Sequence, residues 1–346
     1  MERKLVSVQT ITDIRPIDGA DRIEVARVLG WNVVVGKNEF SINQKIAYFE
    51  VDSFLRGDKD IFEPFLKRGT KKFIIDGSEV EGHVLKTIKL RGVVSQGLIM
   101  SLEDLELDSE LPVGTDVTAD VGVVKWDPPL PASNGEIIGT FDTKFAPKTD
   151  AIRLQSIADF WDEIQKIDWE PTVKVDGTSQ TLLNDDGRIR IFGRNWEIDT
   201  ETSPGFEVAS KLGFIDAIEN GMAVQFELVG PNVQSNRLKL PTNSAIVFAV
   251  WKNGVKVARS DWPDAILKHA TPILDDEFKP TNHKTVDGLI EFIKDLRGNV
   301  TPDARDEGVV FHPVDPEDIT GKLATVIDRN GNFKVISSGY LLKHKI

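Results

Sequence analysis

Five charged side chains in the second part of this chain stand inside, or at the end of, runs that are otherwise apolar. Lys174 follows Thr172-Val173, Arg194 follows Phe192-Gly193, and Glu227 follows Phe226. Glu307 precedes Gly308-Val309-Val310-Phe311, and Lys334 lies between Phe333 and Val335. Such runs read as strands, and a buried strand tolerates a charge only where it is paired or used. Downstream of Lys174, two acids and two bases recurring in this way imply a polar groove shared between sheets. Lys174, Arg194 and Lys334 suit phosphates there. Glu227 and Glu307 suit sugar hydroxyls or a divalent cation.

Lys174-Val175-Asp176-Gly177 is where a strand runs out into a glycine turn. A lysine at such a point projects from a rigid element into a cleft, which suits a nucleophile. An amine attacks only when neutral, so Lys174 needs a pKa depressed by burial or neighbouring cations. None of the five His stands at metal-ligand spacing from another, and His312 reads as structural.

Residues 1–125 read as all-β. Short runs at 6–14, 23–28, 31–35, 45–49 and 98–100 are parted by turn signals at Asp18-Gly19, Gly36-Lys37-Asn38 and Asp76-Gly77. This spacing predicts a small OB-type β-barrel. Asp127-Pro128-Pro129-Leu130-Pro131 reads as a stiff linker, because proline blocks both helix and ladder. Beyond it, residues 150–167, 204–220 and 286–297 read as helices, the last with Leu289, Phe292, Ile293 and Leu296 on one face. Strands are expected at 172–175, 188–192, 223–228, 245–251, 308–311 and 333–336. The class is α+β, in two domains of residues 1–125 and 126–346.

The absence of Cys excludes a disulfide scaffold, a thiolate metal site and a thiol nucleophile. No apolar leader and no bilayer-length apolar run is read, so the expected compartment is cytoplasmic, with no membrane partner. The net charge of −13, from 42 Lys+Arg against 55 Asp+Glu, is spread over both parts. Nucleic-acid binding usually leaves a basic footprint; here it has to be local.

The order Lys-x-Asp-Gly, Gly193-Arg194-Asn195, Phe226-Glu227-x-x-Gly230, Glu307-Gly308 and Phe333-Lys334 resembles motifs I, Ia, III, IV and V of the covalent nucleotidyltransferases. That superfamily holds RNA ligases, DNA ligases and mRNA capping enzymes. The resemblance spans residues 147–343. DNA ligases and capping enzymes carry an OB domain after motif V, whereas 346 − 334 = 12 residues follow Lys334 here. The predicted barrel comes first, an order similar to the Deinococcus-type RNA ligases. So are Phe145-Ala146-Pro147-Lys148-Thr149-Asp150 and residues 333–342. Residues 18–25 and 90–98 are similar to the tRNA-binding OB module of some tRNA synthetases. Lys67-Arg68-Gly69-Thr70-Lys71-Lys72-Phe73, with Arg91, is the barrel's most basic stretch and suits a strand-tracking groove.

The resemblance implies an OB-like RNA-binding domain followed by an α+β nucleotidyltransferase domain, ATP-grasp-like in type. The implied activity is that of an ATP-dependent RNA ligase. Lys174 attacks the α-phosphate of ATP, AMP passes to an RNA 5′-phosphate, and a 3′-OH expels the AMP. The implied catalytic residues are Lys174, Asp176, Glu227, Glu307 and Lys334, with Asp176 weighted toward the sealing steps. ATP contacts are expected from Thr172 and Val173 at the base edge and from Phe248 by stacking. Lys174, Gly177, Arg194, Glu227, Lys334 and Lys148 complete that set. Mg²⁺ or Mn²⁺ is expected at Glu307 and Glu227. The expected substrate is a nicked RNA duplex, and the expected state a monomer.

One position departs from the pattern. Many members have a second lysine two residues after the first in motif V, where this chain has Ile336. Either Lys334 holds the triphosphate with help from Lys343 or Lys148, or phosphate binding is weaker. Rival readings are a DNA ligase or capping-type enzyme, and a non-catalytic RNA- or tRNA-binding OB protein.

Overall fold

The computed structural model describes residues 3–127, 134–327 and 331–345. Apart from Asp127, the predicted proline linker lies outside the described residues. Tertiary contacts gather the chain into two compact units. One is Met1–Pro128, Leu154–Asp162 and Leu341–Ile346; the other is Pro129–Arg153 and Glu163–Tyr340.

In the first unit, Trp31–Gly36 buries Trp31, Val33 and Val35 and leaves the residues between them half-buried. That alternation is what a strand with one core face must show. The five expected strands form one antiparallel sheet, in the order Leu98–Ser101, Lys45–Phe49, Val6–Pro16, Ile23–Val28, Trp31–Gly36. A register shift between Ile11 and Asp13 bends the long first strand. Its start then packs with Phe49 and Leu55, and Ile11 with Trp31 and Tyr48.

Sequence periodicity misses a second sheet, ordered Val124–Lys125, Ser53–Arg56, Ser78–Val84, Lys71–Ile75. It also misses the hairpin of Ile88–Leu90 and Val93–Ser95. Lys71–Ile75, Ser78–Val84 and Ile88–Leu90 expose much of their length, so their apolar signal is weak, and Ser53–Arg56 is buried but only four residues long. The basic stretch opens one of them and is partly neutralised. Lys72 pairs with Glu79 at 2.7 Å and Lys67 with Glu63 at 3.5 Å.

Leu154–Asp162 belongs to this unit. Leu154 and Ile157 are buried, Gly30 N donates to Gln155 O at 2.8 Å, and Ser156 Oγ donates to Glu50 Oε1 at 2.6 Å. Residues 150–167 are therefore not the single helix predicted. Ile152–Arg153 is a strand, Leu154–Phe160 a 3-10 segment kinked at Ile157, and Trp161–Ile164 one α-helical turn. A 3-10 period of about 3.0 residues satisfies the same apolar spacing as an α-helix over so short a run.

The second unit holds two sheets. One is seven-stranded and antiparallel, in the order Ile137–Thr140, Trp196–Ile198, Arg188–Phe192, Thr178–Asp185, Met222–Val229, Ser244–Lys252, Val255–Lys256. The helices Pro204–Lys211 and Phe214–Ala217, parted at Gly213 where one helix was expected, cover one of its faces through Val208 and Phe214. The other face carries Phe145, Ala146, Leu183, Phe192, Ala223 and Trp251. The four-stranded sheet runs Ile152–Arg153, Phe333–Ile336, Gly308–Pro313, Trp169–Lys174. Phe311 and Phe333 stack at 4.6 Å, and Trp169 meets Phe333 edge-on at 4.8 Å. Thr172, Lys174, Val310 and Lys334 are out of phase with these aromatics and share the opposite face. Val286–Ile293 is helical from its Thr285 cap and ends short of the predicted 297.

Candidate active site

Strand register gathers the predicted charges. Arg153, Lys334, Val310 and Thr172 form one row across the four-stranded sheet, and Lys174 lies in a neighbouring row opposite Gly308. After Lys174 the chain turns into Thr178–Asp185 of the larger sheet, where Ser179 is the register partner of Glu227. Gly177 is required in that turn. A Cβ there would stand 2.5 Å from Leu228 O and 2.9 Å from Val229 Cγ1.

Lys174 Nζ donates to Glu307 Oε2 at 2.6 Å. Burial alone would lower the Lys174 pKa, but Glu307, Glu227 and Asp176 together outweigh it and raise the pKa above the usual lysine value. This reverses the sequence expectation of a depressed pKa. Glu307, the nearest carboxylate, leads that effect and holds the amine as an ammonium. Burial pushes Glu227 up to about 8, with Glu307 and Asp176 adding to the shift and Lys174 opposing it. Burial also brings Lys334 down to about 8, helped by Lys174 and Arg153 and opposed by Asp150, which accepts from Lys334 Nζ at 2.8 Å.

Asp150 arrives on a segment laid over the larger sheet. Phe145 and Ala146 pack in its apolar cluster, and Gln225 Nε2 donates to Pro147 O at 2.8 Å. Thr149 Oγ1 and Ser179 Oγ are 2.9 Å apart. Asp150 then bridges Lys334 of the smaller sheet to Arg194 in the turn between Arg188–Phe192 and Trp196–Ile198, at 2.8 and 3.4 Å. Lys148 Nζ donates to Asn195 Oδ1 at 3.1 Å, beside Arg194.

Asp176 is held by Arg237, whose Nη1 lies 3.1 and 3.0 Å from the two carboxylate oxygens and 3.0 Å from Tyr340 Oη. Thr172 is buried with its Oγ1 3.1 Å from His312 Nε2, and burial keeps that imidazole neutral. Val173 points to the opposite face, and its backbone is engaged by Pro272 O and Thr271 Oγ1. It is therefore not on the groove face with Thr172 and Lys174. Phe248 is the extra residue of a bulge in Ser244–Lys252 and packs with the Phe145 cluster, on the Glu227 side of the sheet. Sequence reasoning assigned no role to Asp150, Arg153, Arg237 or Tyr340. Asp150 ended a stretch already singled out, whereas Arg237 lies in a polar loop without periodicity.

A lysine amine on a carboxylate, with a second, half-buried lysine in the neighbouring row, is an arrangement suited to nucleotidyl transfer. The comparisons with known proteins agree. Residues 5–102 match an OB-fold domain model and residues 167–327 an RNA ligase model. The chain is similar to a mutant Naegleria gruberi RNA ligase without ligand, at 32% identity and TM-score 0.83, covering 99% of this chain and 98% of that one. It is similar to another mutant of that ligase with ATP and Mn, at 31% and 0.84, covering 99% of both. A third structure, with PPi, matches at 32% and 0.83, again over 99% of both. No curated protein matches the chain. The chain belongs to the RNA ligase family, with an OB-fold domain ahead of the α+β ligase domain.

Proposed function

We infer that the protein is an ATP-dependent RNA ligase that seals 3′-OH and 5′-phosphate ends at nicks in duplex RNA, as a cytoplasmic monomer. The observation that carries this reading is the Lys174–Glu307 pair at 2.6 Å, in a chain that aligns end to end with an RNA ligase. The ATP, AMP and Mn held by the Naegleria structures are the ligands assigned here.

Lys174 Nζ is the nucleophile toward the α-phosphate of ATP. The new N–P bond displaces pyrophosphate. AMP then passes to the RNA 5′-phosphate, and the 3′-OH finally displaces it. Before attack the amine must shed a proton, and Glu307 Oε2 is the atom that accepts from it. Lys334 and Arg194 neutralise phosphate charge, and phosphoryl chemistry depends chiefly on that and on positioning. Arg153, in register with Lys334, supplies the cation that Ile336 does not. Thr172 borders the base edge, Phe248 stacks on adenine, and the Gly177 turn keeps the lysine strand against Leu228. Lys148 steadies the Arg194 turn through Asn195.

Among the described residues no three His, Asp or Glu side chains converge on a metal position. The carboxylates present still fit Mg²⁺ or Mn²⁺, because an ion that keeps waters and takes phosphate oxygens needs only one or two of them. Glu307 and Glu227 would hold it, and its contribution is to screen phosphate charge.

Incubation with α-labelled ATP and Mg²⁺ is expected to leave a labelled protein band on a denaturing gel, absent in Lys174→Ala. No band, or one that survives the substitution, overturns the reading. Comparing the sealing of nicked duplexes with that of free single strands decides the nick preference.

A further inference from the structure

The loop over residues 230–243 has no part in the chemistry above, yet it is built with unusual constraint. It leaves Met222–Val229 at Gly230, where φ is 125° and a Cβ would stand 2.6 Å from Asn243 Cα and Thr242 O. Asn232, Gln234, Asn236 and Lys239 all take positive φ. Backbone of that kind persists only where its surroundings over-determine it. Here Val233 and Leu238 are buried. Asn236 bonds Leu240 in both directions at 3.0 Å, and Thr301 Oγ1 donates to Leu238 O at 2.9 Å. Gln234 Nε2 reaches back to Gly177 O at 3.3 Å.

What this scaffold fixes is Arg237. Its hydrogen bonds to Asp176 and Tyr340 all run through Nη1, and its Cζ lies 5.8 Å from the centre of the Tyr340 ring. Nε and Nη2, the edge that matches two oxygens of a phosphate, meet no acceptor among the described residues and are not sealed from solvent. One end of the guanidinium is anchored and the other is presented. Asp176 links this fork to the nucleophile, since it is among the acids that act on Lys174. Lys334 and Arg194 gather instead on Asp150. Two phosphates must meet at Lys174, the one carried with AMP and the one that receives it, and Arg237 on Asp176 is a cation separate from the Lys334–Arg194 pair on Asp150.

We propose that Arg237 binds the 5′-phosphate of the RNA strand through Nε and Nη2, anchored by Asp176 and Tyr340. The proposal rests on the ligase reading. Its test is equilibrium binding of nicked RNA duplexes bearing 5′-phosphate or 5′-OH at the nick, to the full chain and to Arg237→Ala and Arg237→Lys. The native protein is expected to prefer the phosphate. Arg237→Ala should lose about 10- to 100-fold of that preference, the usual worth of a charge-assisted bond. Arg237→Lys keeps a point charge without the fork and should recover part of it. Equal losses for both duplexes would mean that Arg237 only supports Asp176. A preference retained in Arg237→Ala, with or without a raised KM for ATP in Lys174 labelling, would also overturn the proposal. Absence of labelling in the native protein would instead sink the ligase reading, whatever Arg237 does.

Discussion

At the scale of single residues, the groove holds two lysines in opposite conditions. Lys174 is kept charged chiefly by Glu307, whereas Lys334 is brought to about 8 by burial and neighbouring cations. Lys334 therefore carries its phosphate-binding charge below about pH 8 and loses it above. The KM for ATP in Lys174 labelling is expected to climb as pH passes 8, and to climb less in Lys334→Arg, because a guanidinium remains protonated. An equal climb in Lys334→Arg would assign the transition to Glu227, which burial brings to the same range. Stability has its own sign. The folded pKa lies below the unfolded 10.5, so between about 8 and 10.5 the unfolded chain binds the proton that the fold has shed. The cost of burying the ammonium is thus relieved across that window as pH rises.

At the scale of elements, the strongly apolar strands were legible, whereas the sheet of Ser53–Arg56, Lys71–Ile75 and Ser78–Val84, the strand Thr178–Asp185 and the joints were not. Lys174, Glu227, Glu307 and Lys334 stood out because each breaks an apolar run, and runs are what periodicity detects. Val173 was placed at the base edge, but strand alternation turns it to the far face. The 150–167 segment read as one helix because its spacing fits two kinds of turn. Asp150 and Arg237 gave no periodic signal at all, since a loop residue is defined by where tertiary contacts carry it. The loop makes a prediction of its own. Gly230→Ala sets a methyl group against Asn243 and Thr242 in a conformation that side chains avoid. It should cost about 1–3 kcal/mol, read as a lower urea midpoint, and should weaken the 5′-phosphate preference with it. An unchanged midpoint would show that the loop yields easily and does not hold Arg237 rigidly.

At the scale of the molecule, a charge of −13 confines RNA contact to patches. In the barrel unit the patch is smaller than the sequence suggested, because Lys67 and Lys72 are engaged by glutamates while Lys71 and Arg91 are exposed. Each phosphate contact contributes about 0.9 to the salt slope of duplex binding, so replacing Lys71 and Arg91 by Ala should flatten the log–log slope by about 2. An unaltered slope would remove this surface from the RNA path.

The route of the chain limits how this protein can be taken apart. The barrel unit is assembled from three separate stretches, the last two being Leu154–Asp162 and Leu341–Ile346. A cassette excised at residue 125 leaves behind Gln155, the backbone partner of Gly30, and Ser156, the partner of Glu50. Such a barrel is not a detachable adaptor. Grafting it onto another enzyme means transplanting all three pieces, and exchanging it between relatives means recombining at several crossovers rather than one.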